Sequence, residues 1–181
     1  MKYNYHMVPI GRVTLVKGET ILSELGWVKY KKGIAGMTEV LNDINEERPS
    51  NLQVNEADFD PAGWYPVETQ HAILKSIQKR FGNGDPDIIK DVGAHGVKRI
   101  GQFKFVLRFM KVKKVAEKMT DNLVVLYRSV DLKVKDTGEQ SLDVSVIGFP
   151  DDVVYAKLMQ GGTQQLLSYL GLKSYNVDME H

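Results

Sequence analysis

The sequence predicts an α+β fold in which an N-terminal layer of helices packs on a small antiparallel sheet. Apolar residues recur at helical spacing from about residue 19 to residue 119, and they alternate with polar residues at 128–134, 142–146 and 175–179. Helices followed by strands in this order are typical of α+β domains. A further helix, predicted to start at Asp151, precedes the last strand, so the chain closes with a strand–helix–strand unit.

The first two predicted helices lie on either side of Gly33. Residues 19–30 place Ile21, Leu25 and Val28 on one face. The second helix runs toward Pro49, which ends it. Its apolar residues, each of which could serve the core or a partner, are Ile34, Met37, Val40, Leu41 and Ile44.

The sequence Trp64-Tyr65-Pro66 is interpreted as the start of a third helix, because proline is tolerated in a first helical turn. Gly82-Asn83-Gly84 ends this helix by supplying positive φ angles. Asp85 and Pro86 then begin a fourth helix, in which Gly93 and Gly96 allow another backbone to approach. The third helix has an apolar stripe of Val67, Ile73, Leu74, Ile77 and Phe81.

The remaining elements are one more helix and the strands. Phe103–Met119 has a stripe that includes Phe105 and Phe109. Residues 126–134 and 142–146 are predicted to form a hairpin, and 175–179 to join the same sheet. In the helix after Asp151, Gly161-Gly162 is expected to cause an interruption or a kink.

Composition limits the classes of function. With 181 residues and no internal linker, the chain is expected to form one domain, with 1–60 as a helical lead and 61–181 as the core. The net charge of +1 gives no reason to expect nucleic acid. The absence of cysteine excludes disulfides and a cysteine nucleophile. Without a signal peptide or a long apolar run, we expect a cytoplasmic protein that does not insert in a membrane.

Catalytic and nucleotide-binding motifs fail on inspection. The sequence GNGDPD at 82–87 lacks the Lys-Ser/Thr of a P-loop, and GAHGVKRIG at 93–101 lacks the context of a dinucleotide fingerprint. Most Asp and Glu residues are interpreted as solvated charges in caps and turns. Of four histidines, His71 lies at the shoulder of an apolar stripe, and His95 shares a face with Val92 and could contact Asp91. No metal site is predicted, because one histidine and one aspartate are too few ligands for zinc.

Three segments together resemble a known superfamily. They are WYPVETQHAILKSIQKRFGNGDP with IIKDVGAHG, the closing unit VIGFPDDVVYAKLMQGGTQQLLSYLGLKSYNVDM, and the lead VKGETILSELGWVKYKKGIAGMTEVLNDI. The set resembles the superfamily of haem–nitric-oxide sensor domains, vinyl-reductase-type domains and TRAPP trafficking subunits, in a bacterial or archaeal stand-alone form. The resemblance implies a lipophilic pocket between helices and sheet, which different branches fill with haem, acyl chains or pigments.

Departures from the family pattern argue against haem, and no cofactor is predicted. The haem branch carries its histidine ligand on the helix that corresponds to Phe103–Met119, which contains no histidine. In the Tyr-x-Ser-x-Arg motif of that branch, the matching residues are Tyr127, Ser129 and Asp131. A carboxylate at Asp131 would repel a haem propionate rather than pair with it.

We therefore expect a non-enzymatic sensor or carrier that binds an apolar, lipid-like or pigment-like small molecule. The alternative is a dimeric protein–protein scaffold with a filled core, and a third hypothesis is an enzyme acting on a tetrapyrrole-like substrate. We also expect a homodimer and a signalling or transcription partner protein. The resemblance and the apolar pattern together give seven candidate ligand-binding residues: Trp64, Tyr65, His71, His95, Phe105, Phe109 and Tyr127.

Overall fold

The computed structural model describes residues 2–8, 14–46, 48–98, 114, 121, 123–138, 141–171 and 176–180. The predicted helix Phe103–Met119, with Phe105 and Phe109, lies outside the described residues apart from Lys114. The helices are α1 (Gly18–Glu46), α2 (Val67–Phe81), α3 (Ile88–Lys98) and α4 (Val153–Tyr169). The strands are β1 (Lys2–Val8), β2 (Leu15–Lys17), β3 (Trp64–Pro66), β4 (Tyr127–Arg128), β5 (Asp131–Gly138), β6 (Ser141–Ile147) and β7 (Asn176–Glu180).

The α+β fold is confirmed, and its helices pack on a three-stranded antiparallel sheet of order β3-β2-β4. Both α1 and α2 contact β2, and α2 also contacts β3. The predicted closing unit is also present, as β6, α4 and β7 in succession. The helices therefore cover a sheet made of three very short strands that come from distant parts of the chain.

A second sheet has the order β5-β6-β1-β7 and is mixed. The predicted hairpin is confirmed from Asp131 onward, where β5 and β6 pair antiparallel with Leu132 opposite Val146, whereas residues 126–128 lie outside it. The last strand joins the same sheet, as predicted, although it pairs with β1 rather than with the hairpin. Strand β1 pairs with β6 on one side and with β7 on the other, so it lies between the two strands of the closing unit. It is parallel to both.

The predicted strand 128–134 is divided between the two sheets. Its first residues form β4, which pairs with β2, and its later residues form β5. The break falls at Ser129, whose φ of 67° turns the chain out of the extended conformation.

The Trp-Tyr-Pro segment is a strand, so its interpretation as a helix start was wrong. Trp64 lies opposite Lys17 and Tyr65 opposite Val16 in the antiparallel pair β2–β3. Pro66 has φ −56° and ψ 137°, and the helix begins at the next residue. The proline ring permits this extended conformation just as readily as it permits a first helical turn, which is why the sequence alone could not separate them.

Three glycine residues determine how the helices are arranged. Gly33 has a φ of 75° and breaks α1 into two segments, as predicted. Gly161 does not interrupt α4, contrary to the prediction, and instead lets α4 approach α3 closely. A Cβ at Gly161 would overlap the Lys90 carbonyl oxygen, and a Cβ at Gly93 would overlap that of Leu158.

One hydrophobic core joins the helical lead to the rest of the chain. Met37, Leu41 and Ile44 are buried, so these three residues of the predicted partner face belong to the core, whereas Ile34 is 66% exposed. The fully buried apolar residues of the lead and of α2 belong to the same cluster: Val16, Ile21, Leu25, Val28, Val40, Ile73, Leu74 and Ile77.

Candidate functional site: a buried polar cluster

Three polar side chains from three different elements meet inside this core. The Gln70 Nε2 atom on α2 lies 2.5 Å from Glu24 Oε1 on α1 and 2.8 Å from the Tyr127 hydroxyl on β4. Gln70 is 0% exposed, and Glu24 and Tyr127 are each 4% exposed. We refer to Glu24, Gln70 and Tyr127 as the polar cluster.

The local sequence explains why these side chains point inward. Glu24 lies three residues after Ile21 and four before Val28, so it falls within the buried stripe of α1. Gln70 lies three residues after Val67 and four before Leu74 in the same way. Polar residues at core positions of apolar stripes are the signal that sequence analysis missed for Glu24 and Gln70.

Part of the hydrogen-bonding capacity of the polar cluster is unused within the described part of the chain. Among the described residues, the Glu24 Oε2 and Gln70 Oε1 atoms are buried and have no hydrogen-bond partner. Exchanging the amide oxygen and nitrogen of Gln70 would not remove the deficit, because one amide atom and one carboxyl oxygen would still lack partners. A buried polar atom without a partner costs on the order of 1–3 kcal/mol, so such atoms call for an occupant, either ordered water or a ligand.

Burial also keeps the polar cluster uncharged. Desolvation raises the pKa of Glu24 from 4.5 to about 8, although the hydrogen bond from Gln70 partly opposes the change. Burial, followed by the nearby Glu24, raises the pKa of Tyr127 above its ordinary value of 10.0. Near pH 7 the site is therefore a neutral carboxylic acid, an amide and a phenol.

A ladder of aromatic rings leads from the polar cluster toward the surface. The Tyr127 and Phe149 centroids are 4.7 Å apart, those of Phe149 and Tyr155 are 5.1 Å apart, and those of Tyr155 and His71 are 5.8 Å apart. The Tyr155 hydroxyl donates to the Val67 carbonyl oxygen at 3.0 Å. Phe149 and Tyr155 are fully buried, so this ladder fills the space between α2 and the start of α4.

The outer end of the ladder is a half-exposed charged group. Asp152 Oδ2 lies 3.0 Å from His71 Nε2 and 2.8 Å from Lys75 Nζ. Asp152 also caps α4 by accepting a hydrogen bond from the Val154 backbone N–H. Burial would raise the pKa of Asp152, but Lys75, the Val154 N–H and His71 outweigh it and hold the pKa below its ordinary value.

The structure separates the predicted ligand-binding residues. Tyr127 belongs to the polar cluster, and His71 lies at the far end of the ladder.

The other described candidates lie elsewhere. Trp64 is partly buried beneath Arg128, whose guanidinium carbon is 4.2 Å from the ring centroid. The Tyr65 hydroxyl accepts from Asp60 N and donates to Asp58 O. His95 is partly buried, and its ring stacks on that of Tyr30.

Within the described part of the chain, no group of three or more His, Cys, Asp and Glu side chains could hold a metal ion. An open depression at the end of α2 is lined by Lys75, Gln78, Lys79, Asn83 and Gly84, and it contains none of the predicted ligand-binding residues.

Among the described residues, no helix combines the length and the apolar character needed to cross a bilayer.

Comparison with known proteins does not identify the chain. Neither the scan against protein-family models nor the search of curated proteins found a match.

Proposed function

We propose that this protein is a non-enzymatic sensor or carrier domain that binds an apolar small molecule with one polar end group. The observation that carries the proposal is the polar cluster, which leaves a buried carboxyl oxygen and a buried amide atom without partners among the described residues. Small-molecule sites are typically apolar, with a few convergent polar groups that fix the orientation of the ligand. The resemblance to haem–nitric-oxide sensor and TRAPP-like domains is consistent with this class of protein.

The chemistry of the polar cluster favours an uncharged end group. Since Glu24 is protonated near pH 7, the unpaired atoms together provide one donor and at least one acceptor. An alcohol, an amide or a neutral carboxylic acid can both donate and accept, so each would satisfy both atoms. An ionised carboxylate or phosphate would face Glu24 in the interior, and burying such a charge without a cation is strongly unfavourable.

A second candidate function is the dimeric scaffold with a filled core. The observation that favours it is the aromatic ladder, in which Phe149 and Tyr155 occupy the interior themselves. On this hypothesis the polar cluster holds ordered water instead of a ligand, which is a common state for buried polar groups. Light scattering at about 100 μM, well above most specific dimer constants, would then give the mass of two chains.

Solvent extraction of the purified protein followed by mass spectrometry separates the two functions. The carrier is expected to release one apolar compound in near-stoichiometric amount. Tyr127→Phe removes a hydroxyl from the polar cluster and should lower this amount at least several-fold. Tyr65→Phe is the matched control, because its hydroxyl bonds only to the 58–60 loop. An empty extract from a folded wild-type protein would contradict the carrier and favour the scaffold.

A further inference from the structure

Seven consecutive residues at the break of α1 are all exposed. Residues 29–35, Lys-Tyr-Lys-Lys-Gly-Ile-Ala, form this projection, which we call the basic knob. Val28 on one side of it and Met37 on the other are buried in the core. Because Gly33 has a φ of 75°, the helix changes direction within the basic knob, which therefore forms a convex corner.

The basic knob combines positive charge with exposed apolar side chains. It contains Lys29, Lys31 and Lys32 and no acidic residue. Tyr30 is 76% exposed and Ile34 is 66% exposed, and they are the two most exposed large hydrophobic residues of the described chain. Lys29 lies 3.4 Å from Glu56, and both of these side chains are exposed, so the contact is a weak surface pair.

The basic knob is held in place rather than hanging freely. The Tyr30 ring stacks on His95 of α3 with centroids 6.1 Å apart, and the Lys31 ammonium lies 5.6 Å from the Tyr30 centroid. The Lys32 ammonium lies 5.2 Å from the Phe81 centroid at the end of α2. Three helices therefore fix the position of the exposed charges, and ordering them on a partner costs less entropy than it would on a loose loop.

We propose that the basic knob docks this protein on an anionic lipid surface. Clustered lysines are attracted to anionic headgroups, tyrosine prefers the interfacial region, and one exposed isoleucine can enter the upper acyl region. A convex corner fits a soft, flat surface and offers no groove for a peptide. A second copy of the chain is disfavoured at this position, because it would bring two sets of lysines together.

The proposal predicts binding to vesicles that depends on lipid charge. Sedimentation should show stronger partition onto phosphatidylcholine vesicles that contain about one third phosphatidylserine than onto pure phosphatidylcholine. The double variant Lys31→Glu/Lys32→Glu should reduce the partition coefficient at least tenfold, since each basic residue near the surface contributes about a factor of five. Salt at about 0.5 M should reduce it in the wild type, because it screens surface charge.

Two further variants distinguish the basic knob from general charge attraction. Lys133→Glu/Lys135→Glu changes the same number of exposed lysines on β5 and should retain most of the binding. Tyr30→Ser/Ile34→Ser should weaken binding while leaving the salt dependence unchanged. Equal losses in the two lysine variants would overturn the assignment, as would equal partition onto both kinds of vesicle. Retention on immobilised polyglutamate without vesicle binding would also overturn it and would indicate an acidic protein partner.

Discussion

Glu24 carries much of the chemistry of the interior, because it is a buried carboxyl group with no cation beside it among the described residues. Its hydrogen-bond partner is the neutral Gln70 side chain, which offsets only part of the cost of ionising it in the core. The folded protein therefore holds a proton on Glu24 that the unfolded chain releases at a much lower pH. This difference links the stability of the fold to pH.

The first prediction is that Glu24→Gln removes a pH dependence of stability. With a folded-state pKa of about 8 and an ordinary value of 4.5, the folded state binds more protons between these values, so stability falls as pH rises across this window. At about 1.4 kcal/mol per pKa unit, the loss can reach on the order of 5 kcal/mol. Denaturant unfolding should show that the unfolding free energy of the variant, relative to that of the wild type, increases steadily from pH 4.5 to 8.5.

The control for this measurement is Glu39→Gln, the same chemical change at an exposed carboxylate of the same helix. Its unfolding free energy should follow that of the wild type across the same pH range, with a nearly constant small offset. Parallel curves for Glu24→Gln and the wild type would mean that Glu24 ionises normally in the folded protein.

Among the three residues of the polar cluster, only Tyr127 could be predicted as a candidate from the sequence, and Glu24 and Gln70 could not. Tyr127 was singled out by resemblance, whereas acidic residues in general were interpreted as solvated. That interpretation fits the exposed Glu39 but fails for Glu24. The helical period already places Glu24 between Ile21 and Val28, but only the meeting of α1, α2 and β4 shows that its partner is Gln70.

At the element scale, the α3–α4 crossing depends on close backbone contact at Gly93 and Gly161. A methyl group at either position meets backbone carbonyl oxygens, which cannot rotate away as a flexible side chain can. The helices would have to separate, and their packed side chains would lose contact.

The second prediction compares glycine-to-alanine changes within helices. Gly161→Ala should lower the unfolding free energy by about 1–3 kcal/mol, the usual cost of overpacking. Gly26→Ala should raise it by about 0.5–1 kcal/mol, because alanine favours the helix and nothing lies within 4 Å of the new Cβ. Chemical denaturation of both variants tests the contrast, and a neutral or stabilising Gly161→Ala would contradict the close crossing.

The third prediction concerns Asp152, which caps α4 and accepts from His71 and Lys75. Asp152→Ala should cost about 1–2 kcal/mol, within the range measured for helix caps. Asp152→Asn keeps a capping oxygen and should cost less. Because the folded pKa of Asp152 is lowered, the stability that its charge contributes is present above pH 3.8 and is lost as the pH falls further. Equal destabilisation by both variants at neutral pH would argue against the cap.

Sequence patterns predicted the described helices better than the strands. Long apolar stripes end at clear breakers, such as Gly33 and the segment after Phe81, and they predicted the positions of α1 and α2 closely. The three-residue strand at Trp64 is too short to show a period, and only pairing with β2 reveals it. Ser129 looks like part of a continuous strand, and its positive φ is imposed by the tertiary structure.

At the scale of the whole molecule, long-range pairing joins the two ends of the chain. Strand β1 lies between β6 and β7, so residues 2–8 complete a sheet whose other strands come from the last third of the chain. This pairing could not be predicted from the sequence, because parallel partners leave no local turn signal.

The polar cluster is the centre of the proposed function, and ¹³C NMR of the Glu24 side-chain carboxyl tests it most directly. The protein is compared as purified and after solvent stripping and refolding, with Glu24→Gln used to assign the signal. In the stripped protein we expect a protonated carboxyl at pH 7 that titrates near pH 8. We also expect a different chemical shift in the purified protein, where the end group of the ligand contacts Glu24. A carboxyl that titrates near 4.5, or identical spectra in the two preparations, would contradict the proposed function.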